Sequence, residues 1–372
     1  MKVAIDGLLL GRHHSGVENC IEQLAGALGQ LDLDFEIGLV CTAEYLPRAA
    51  KLGVQPLPTP SLTKYRGGRI LFEQLLMSRR LSKSGWQVLH GPGYVLPRNW
   101  AGPCVLTVYD LIALQYPQWC KPSNVMHYRM TVPASIAKAT CIVVPSETTA
   151  AAVREMFPHA ADKLRVIHLG VGEQFKPVTD ECLIEQVRHK YALPERFILH
   201  LGNIEPKKNL EVLVAAYEQI ADEFDVDLVI AGAKAWRCGP VLRMIQRSRV
   251  RDRILRTGPI DGADLPPLYS TAELLIQWSL YEGVGLPPLE AMACGTAALV
   301  SDGGALRELA GQAAEVVPLG PAAQLAEGII GLLNDKGRCE RIAEDGRKLA
   351  AQWTWPEHAR QVAALYKEAS GV

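Results

Sequence analysis

Residues 273–308 constrain the fold more than any other part of the chain, because strand and helix signals alternate through them. The segment reads ELLIQWSLYEGVGLPPLEAMACGTAALVSDGGALRE. Leu274–Gln277 is an apolar run of strand length that two glycines end. Pro287 suits the first turn of a helix, where its missing N–H would have no partner anyway. Ala297–Val300 is a second apolar run. The pattern predicts two buried strands joined by a helix, as in a parallel α/β sheet.

Two carboxylates in this segment, Glu282 and Glu290, are eight positions apart. Glu282 is predicted on the loop after the first strand, and Glu290 in the first turn of the helix. The N–H groups that begin a helix have no intrahelical partner and favour an anion, and carboxylates accept hydrogen bonds from vicinal hydroxyls. The pattern indicates a site for a ligand with both a phosphate and sugar diols, such as a sugar nucleotide. Alternatively, the carboxylates only offset the helix dipole, worth roughly 0.3–1 kcal/mol each.

The block YEGVGLPPLEAMACG, residues 281–295, resembles the E-x7-E signature of the family 4 retaining glycosyltransferases, and the following glycine loop and Glu308 also match. The resemblance implies an α/β protein of GT-B fold, in which two Rossmann-like domains face a central cleft and a C-terminal helix crosses back to the first domain. It implies an N-terminal acceptor-binding domain at 1–176 plus 357–372. The C-terminal nucleotide-sugar-binding domain would span 177–356.

The same resemblance implies roles for individual residues. Glu290 would hold the ribose hydroxyls of the nucleotide, and Glu282 would contact the donor sugar as a catalytic residue. Ile260, next to the turn that ends strand 253–258, would contact the nucleobase. Backbone amides that would lie against the sugar or the phosphate are those of Gly283, Val284, Gly285 and Leu286.

A second loop, Gly202–Asn209, leads from a strand into a helix for which Asn209 is a predicted cap. Lys207 and Lys208 at a helix start favour an anion, although loop lysines are often only solvated. The loop resembles the family's G-R-x-x-x-x-x-K phosphate loop, with Asn203 in place of the arginine. Lys208 would then be catalytic, because it would stabilise the β-phosphate as the anomeric bond breaks. Lys207 could replace the missing arginine only as a point charge.

The first strand, Lys2–Asp6, is followed by a loop with three glycines and a helix that starts near Val17. Such a turn presents backbone amides to a phosphate, or it is simply the tight turn that any βαβ unit has. By the resemblance, Gly16 would face the donor diphosphate.

Tyr109 and Asp110 follow the strand Val105–Val108, at positions where the family usually has His-Asp. Tyr109 is either a donor of one hydrogen bond to the sugar nucleotide or a packing residue. Unlike the histidine, a phenol does not titrate near neutrality, so a role that depends on an imidazolium is lost. His90 and His13 are other candidates for that space. Asp110 is a catalytic candidate on the acceptor side, or a structural residue.

Residues 48–98 contain nine lysines and arginines and a single acid, Glu73. Within them, 64–83 interleaves apolar and basic residues. This segment is either an amphipathic helix that binds an anionic membrane surface or a core helix with a solvated basic face.

Composition limits the remaining choices. A chain of 372 residues predicts two domains, and a net charge of −1 argues against a nucleic-acid partner. No apolar run approaches the roughly 20 residues that span a bilayer, the N-terminus does not read as a signal peptide, and the nine cysteines form no C-x-x-C pair. A cytoplasmic protein with reduced thiols is expected, peripheral at the inner membrane face if 64–83 binds lipid.

The resemblance implies retaining transfer of a hexose, by same-face attack without a covalent intermediate. The donor would be GDP-mannose, which the Glu-Pro-x-Lys-Asn loop favours, or a UDP-sugar, and the acceptor a lipid-linked or free oligosaccharide of envelope or exopolysaccharide synthesis. No cofactor or metal is expected, because Lys208 and helix dipoles would replace a metal. The alternative, suggested by Tyr109 and Asn203, is an inactive GT-B subunit that binds nucleotide as a scaffold for a partner protein. A nicotinamide oxidoreductase is disfavoured because no G-x-G-x-x-G follows the first strand.

Overall fold

The structure, a computed structural model, describes residues 1–11, 15–311 and 313–371. The chain divides into two compact units. Unit 1 comprises Met1–Pro117, Pro122–Gly170 and Thr354–Val372, and unit 2 comprises Gln118–Lys121 and Val171–Trp353. The boundaries predicted from the sequence, at 176/177 and 356/357, lie near these.

Unit 1 is built on a parallel sheet. Its strands are β1 (Lys2–Asp6), β2 (Glu36–Cys41), β3 (Gln55–Pro58), β4 (Val88–Gly91), β5 (Cys104–Thr107), β6 (Cys141–Val144) and β7 (Leu164–Val166). Its first helices are α1 (Gly16–Gln30), α2 (Leu46–Ala49), α3 (Arg66–Leu71), α4 (Met77–Lys83), α5 (Ile112–Gln115), α6 (Pro122–Lys138) and α7 (Glu147–Met156). The strand order is β3-β2-β1-β4-β5-β6-β7, and Val3 of β1 is in register with Val88 of β4. The middle residues of β1 and most residues of β4 and β5 are apolar, because these central strands are buried on both faces.

Unit 2 repeats the same design. Its strands are β8 (Phe197–Leu201), β9 (Asp227–Ala231), β10 (Ile254–Gly258), β11 (Leu274–Gln277), β12 (Ala298–Ser301) and β13 (Glu315–Val317). Its helices are α8 (Glu181–Tyr191), α9 (Leu210–Ile220), α10 (Gly239–Arg247), α11 (Leu265–Thr271), α12 (Leu286–Ala293), α13 (Leu306–Ala310), α14 (Ala322–Asn334) and α15 (Lys336–Ala350). The strand order is β10-β9-β8-β11-β12-β13. The expected α/β class, with two parallel sheets, is confirmed.

In each sheet, successive strands are first added toward one edge and then, after one switch point, toward the other edge. In unit 1 this point lies between β1 and β4, and in unit 2 between β8 and β11. Loops that leave the carboxyl ends of two such strands run to opposite faces of the sheet and leave a crevice between them, where ligands of open α/β sheets bind. The topology therefore predicts one crevice in each unit.

The last helix, α16 (Trp355–Ser370), belongs to unit 1. Its buried Tyr366 bonds through the hydroxyl to His90 Nδ1 at 2.7 Å, and His90 Nε2 lies 2.8 Å from Thr107 Oγ1. Burial lowers the pKa of His90 to about 3, so the ring is neutral. With both ring nitrogens engaged, His90 serves the packing of α16 against the sheet. His13 lies outside the described residues.

Two further observations concern the chain as a whole. Each of its nine cysteines is a free thiol. Within the described ranges, no helix is both long enough and apolar enough to cross a bilayer.

Candidate active site

The crevice of unit 2 contains a buried ionic cluster. Lys208 comes from the loop after β8, and Glu282 from the loop after β11. The Lys208 ammonium lies 2.6 Å from Glu282 Oε1, and that of Lys207 lies 3.4 Å from Oε2. Glu282 Oε1 also accepts hydrogen bonds from Ser279 Oγ at 2.8 Å and Gln277 Nε2 at 3.1 Å. The structure thus brings together three of the residues predicted from the sequence.

These contacts keep Glu282 ionised. Its burial alone would raise the pKa of the carboxyl, but the charges of Lys207 and Lys208 and the hydrogen bonds from Lys208 and Ser279 outweigh it and hold that pKa well below its usual range. A second carboxylate, that of Glu205, is 3.8 Å from the Lys207 ammonium. Each ammonium has three N–H donors. The two positive charges, close to one buried carboxylate, favour an anion at this end of the loop.

Three glycines allow the loops of this cluster to approach closely. A Cβ on Gly202 would lie 3.2 Å from Lys208 Nζ, so the lysine side chain lies along the end of β8. A Cβ on Gly303 would lie 2.3 Å from the carbonyl oxygen of Ser279. Gly304 has a φ of +64°, and a Cβ there would lie 2.3 Å from the carbonyl oxygen of Glu282. The glycine pair after β12 thus determines where the backbone of the Glu282 loop lies.

Helix α12 begins directly after the Glu282 loop. Gly285 precedes it in the left-handed region with a φ of +87°, and no side chain caps the helix. Pro287 and Pro288 occupy its second and third positions and have no N–H. The backbone donors at this end are therefore limited to the loop and Leu286, the stretch predicted to face the sugar or the phosphate. That assignment stays a prediction.

Glu290 is the fifth residue of α12, so its predicted place in the first turn is wrong by one position. Helix α12 begins at Leu286, one residue before Pro287, and this places the carboxylate at the start of the second turn. Glu290 is buried, and Oε2 accepts a hydrogen bond from the Tyr269 hydroxyl at 2.8 Å. Burial raises the pKa of Glu290 to about 7 despite this bond. A carboxyl that titrates near neutrality in a buried position is typical of a ligand-binding site.

Other predicted donor-site residues in unit 2 do not join the ionic cluster. Asn203 is exposed in the loop after β8, and Ile260, half-buried beyond β10, packs on a hydrophobic core. Asn209 does precede α9, but it is in the left-handed region and its side chain makes no capping hydrogen bond. The capping role predicted for it is therefore wrong, because a side-chain cap requires an extended N-cap residue.

The candidates from the N-terminal half lie in unit 1. Gly16 is the first residue of α1, and a Cβ there would meet open space. Tyr109 is buried, and the centroid of its ring lies 5.7 Å from that of the Tyr94 ring. This contact agrees with the alternative that Tyr109 is a packing residue. Asp110 accepts hydrogen bonds from the Ile112 N–H at 3.0 Å and the Tyr94 hydroxyl at 3.3 Å. A structural function for Asp110 is therefore evident, and the donor and acceptor roles of these residues stay predictions.

Four residues of the site were not singled out from the sequence: Gln277, Ser279, Tyr269 and His200. Gln277 is the only one with a usable signal, since it is a polar residue at the end of a buried apolar strand. His200 is buried on β8, with Nδ1 3.0 Å from the carbonyl oxygen of Ile276. Burial, reinforced by the charge of Lys208, lowers the pKa of His200 to about 3. Lys208 therefore has a neutral imidazole beside it.

Among the described residues, no group of three or more His, Cys, Asp or Glu side chains is arranged to hold a metal ion. What the site offers is two ammonium groups, two buried carboxyls and a glycine-rich backbone. Such a set can bind a phosphate through the lysines and a diol through a carboxylate.

Two family models match the chain. The model described as glycosyl transferases group 1 matches residues 184–349, and that described as glycosyltransferase family 4 matches residues 14–175. The first covers the ionic cluster and Glu290, and the second covers most of unit 1. Together they account for most of the chain.

The relatives of this chain include bacterial mannosyltransferases. The O-antigen chain mannosyltransferase B of Escherichia coli is 28% identical over 284 residues, which cover 75% of this chain and 74% of that protein. The serotype-specific mannosyltransferase WbdA of Escherichia coli is 34% identical over 218 residues, 57% of this chain but only 26% of WbdA. This chain therefore matches about a quarter of the longer relative.

Solved structures establish the fold. HepE of Anabaena, determined in complex with UDP and glucose, superposes with a TM-score of 0.77 at 17% identity, covering 99% of this chain and 100% of that one. WaaG, a glycosyltransferase involved in lipopolysaccharide biosynthesis, superposes with a TM-score of 0.76 at 16% identity, covering 98% and 99%. The fold is GT-B, as the resemblance implied.

Proposed function

Because the chain belongs to the glycosyltransferases of group 1 and family 4, we propose that it transfers mannose from GDP-mannose to an oligosaccharide or lipid-linked acceptor in envelope or exopolysaccharide synthesis. The observation that carries the proposal is the buried Lys208–Glu282 pair, with Lys207 beside it. The choice of mannose is supported by the mannosyltransferases among its relatives. A UDP-sugar is the second candidate donor.

In the proposed reaction, Lys208 and Lys207 offset the negative charge that develops on the leaving diphosphate as the anomeric C–O bond breaks. Glu282 holds both ammonium groups close together and accepts hydrogen bonds from the donor sugar hydroxyls. Glu290 accepts hydrogen bonds from the ribose hydroxyls. The acceptor hydroxyl attacks from the face that the diphosphate leaves, and its proton passes to the leaving phosphate. Configuration is then retained without a carboxylate nucleophile beneath the sugar, and no metal is required.

The first test measures nucleotide binding by thermal shift with GDP and UDP. A ligand at 100 times its dissociation constant adds about 2.7 kcal/mol, which should raise the melting temperature by roughly 5–10 °C. We expect a GDP-dependent shift in wild type that Glu290→Ala abolishes and that the exposed control Glu327→Ala on α14 retains. A shift of equal size in Glu290→Ala would remove Glu290 from the nucleotide site.

The second test follows radiolabelled mannose from GDP-mannose to an oligomannoside with a hydrophobic aglycone, in the presence of EDTA. We expect an α-linked product, detected by NMR. GDP binding without transfer or donor hydrolysis would favour the alternative, an inactive subunit that binds nucleotide as a scaffold for a partner protein. A β-linked product or a requirement for a divalent ion would contradict the proposed mechanism.

A peripheral membrane location is part of the proposal. The segment 64–83 forms α3, a π-helical turn at Phe72–Leu76 and α4. Phe72 and Met77 are buried, so one face of the segment packs against the core as the face of an ordinary helix does. Large apolar side chains nevertheless remain exposed around it, namely Leu62, Tyr65, Leu71, Leu75 and Leu76, with Met126 and Met130 on α6.

Basic residues alternate with these exposed side chains, so the surface combines the two contributions that bind a protein to an anionic bilayer. The expected result is cosedimentation with vesicles that contain phosphatidylserine and weaker binding to neutral vesicles. Changing Leu71, Leu75 and Leu76 together to Gln should reduce binding at least tenfold, whereas Leu183→Gln on α8 should not. Equal partitioning of both variants would leave this segment as a core helix with a solvated basic face.

A further inference from the structure

A buried histidine beside the ionic cluster of unit 2 presents one ring nitrogen as a hydrogen-bond acceptor. His200 lies on β8 and is fully buried. Its Nδ1 lies 3.0 Å from the carbonyl oxygen of Ile276 on β11, and Nδ1 carries the proton because a carbonyl oxygen can only accept. Burial and the charge of Lys208 lower the pKa of His200 to about 3, so the ring is neutral. Its Nε2 therefore has a free lone pair.

Among the residues that the structure describes, Nε2 of His200 has no hydrogen-bond partner, although the atom is buried. A buried acceptor that stays unpaired is costly to keep. The bond to Ile276 ties β8 to β11, and it accounts for Nδ1 only. The lone pair of Nε2 therefore calls for an N–H or O–H donor that reaches it when the site is at work.

The ammonium of Lys208 is a donor close to this nitrogen. A Cβ on Gly202 would lie 3.2 Å from Lys208 Nζ and 3.6 Å from His200 Nε2, so both nitrogens lie around the same point. Because residue 202 is a glycine, it places no side chain between them. The two nitrogens are not hydrogen-bonded in this structure, so the contact requires a shift of the ammonium within the site.

The three N–H groups of the Lys208 ammonium can be directed by three acceptors. One acceptor is Glu282 Oε1, at 2.6 Å, and in the proposed reaction a second is the leaving diphosphate. His200 Nε2 supplies the third. Three acceptors in different directions leave a tetrahedral ammonium little freedom to rotate, so its charge is held where the leaving group becomes negative. Such preorganisation stabilises the transition state without reorganisation at the moment of reaction.

We infer that His200 is a positioning residue for Lys208: when a diphosphate binds, Nε2 accepts one N–H of the ammonium, and another N–H is thereby directed to the phosphate. This role rests on the proposed function, which supplies the diphosphate. Glu282 also has the Lys207 ammonium 3.4 Å from Oε2 and accepts a hydrogen bond from Ser279. Its charge therefore stays compensated as Lys208 shifts toward the imidazole.

Two substitutions separate this role from a purely structural one. His200→Asn places an amide at the position of Nδ1, so it keeps a donor for the Ile276 carbonyl and loses the acceptor. His200→Gln places a carbonyl oxygen at the position of Nε2, so it keeps the acceptor and loses the bond between the strands. The two variants therefore have opposite effects on the two functions of the ring.

The assays are mannose transfer from GDP-mannose and thermal unfolding. We expect His200→Asn to lower kcat roughly ten- to a hundredfold, the range for a hydrogen bond to a charged group, with guanosine affinity and melting temperature close to those of wild type. His200→Gln should recover most of that loss in kcat, although it should melt at a lower temperature. His189→Asn, exposed on α8, is the matched control and should behave as wild type in both assays. Full kcat in His200→Asn, or a slower reaction in His200→Gln than in His200→Asn, would overturn the inference and leave the ring with its strand bond alone.

A second measurement needs no transfer reaction. Heteronuclear NMR follows the nitrogen resonance of His200 Nε2, assigned by its loss in His200→Gln, while inorganic pyrophosphate is added. We expect a shift in wild type that Lys208→Ala abolishes. A shift that persists in Lys208→Ala would overturn the inference, because the anion would then act on the ring directly.

The two measurements separate this inference from the proposed function. A Lys208-dependent shift of the His200 resonance in a protein that transfers no sugar would support the positioning role and refute the transferase. Sugar transfer by a protein whose His200 resonance does not respond to pyrophosphate would overturn the positioning role alone.

Discussion

Glu290→Gln should stabilise the protein at alkaline pH while it removes nucleotide binding. Burial raises the pKa of Glu290 from 4.5 to about 7. The folded state therefore binds a proton that the unfolded state releases, and stability falls as the pH rises from the unfolded value through the folded one. The contribution of Glu290 is fully present below pH 4.5 and lost above about pH 7. Glutamine does not titrate, so the variant lacks this loss.

The size of the effect follows from the shift. One pKa unit corresponds to about 1.4 kcal/mol, so about 2.5 kcal/mol of the wild type's loss should develop between pH 5 and pH 8. For a unit of this size the change in melting temperature is roughly 5–10 °C. The substitution also changes the hydrogen bond between Tyr269 and residue 290, which shifts the free energy of unfolding by an amount that does not depend on pH. This shift does not affect the test, because only the pH dependence of the difference between variant and wild type is compared.

The assay is thermal unfolding of wild type, Glu290→Gln and Glu327→Gln at half-unit intervals from pH 5 to pH 8. The variant's advantage over wild type should grow with pH, and the exposed Glu327 control should run parallel to wild type. Parallel curves for Glu290→Gln would refute the reasoning, since they would mean that Glu290 has an ordinary pKa in the folded state. A growing advantage without loss of the GDP shift would separate the buried charge from nucleotide recognition.

Two further predictions concern the loops of the unit 2 site. Lys208→Ala should lower kcat at least a hundredfold while nucleoside affinity changes little, because the charge it offsets grows only in the transition state; an equal loss in guanosine binding by calorimetry would contradict this. Gly304→Ala should destabilise the protein by about 2 kcal/mol or more, since the methyl group would overlap the Glu282 carbonyl; a melting temperature within 2 °C of wild type would refute the overlap.

Elements with strong local signals could be predicted from the sequence. The strands β1 and β11 agree with the expected ranges, Lys2–Asp6 and Leu274–Gln277, because buried parallel strands are continuous apolar runs. Ser146 caps α7 as expected, with Oγ accepting from the Thr149 N–H at 3.2 Å.

Other elements depend on tertiary context. Strand β3, QPLP, contains two prolines, which argue against a strand, yet it is the edge of its sheet, where one side needs no N–H donors. Helix α6 contains Pro133 and few buried side chains, so it has no clear apolar stripe. Helix α15 is strongly charged and buries only Gly346 and Ala350, so packing rather than periodicity defines it.

The candidate site likewise combines residues that could be predicted from the sequence with residues that could not. The motif predicts that Lys208 and Glu282 serve one ligand, and the structure places their side chains in direct contact. The partners that hold Glu282, Gln277 and Ser279, have no motif of their own. Tyr269 could not be assigned to Glu290 from the sequence, because α11 and α12 are brought together only by the packing of the unit.

The two crevices differ in how much of their lining can be predicted from the sequence. In unit 2 the charged groups of the ionic cluster lie on the two loops that leave β8 and β11, and each loop has a compact motif. In unit 1 the end of β1 and the loop after β4 contribute Asp6 and Tyr94 to a cavity, whereas Glu73 and Arg69 come from the segment 64–83. For that segment the sequence pattern predicts either a membrane-binding helix or a core helix, and not the lining of a cavity. A motif whose residues are contiguous in the chain can be recognised from the sequence. Side chains from distant segments are brought to one cavity only by the three-dimensional structure.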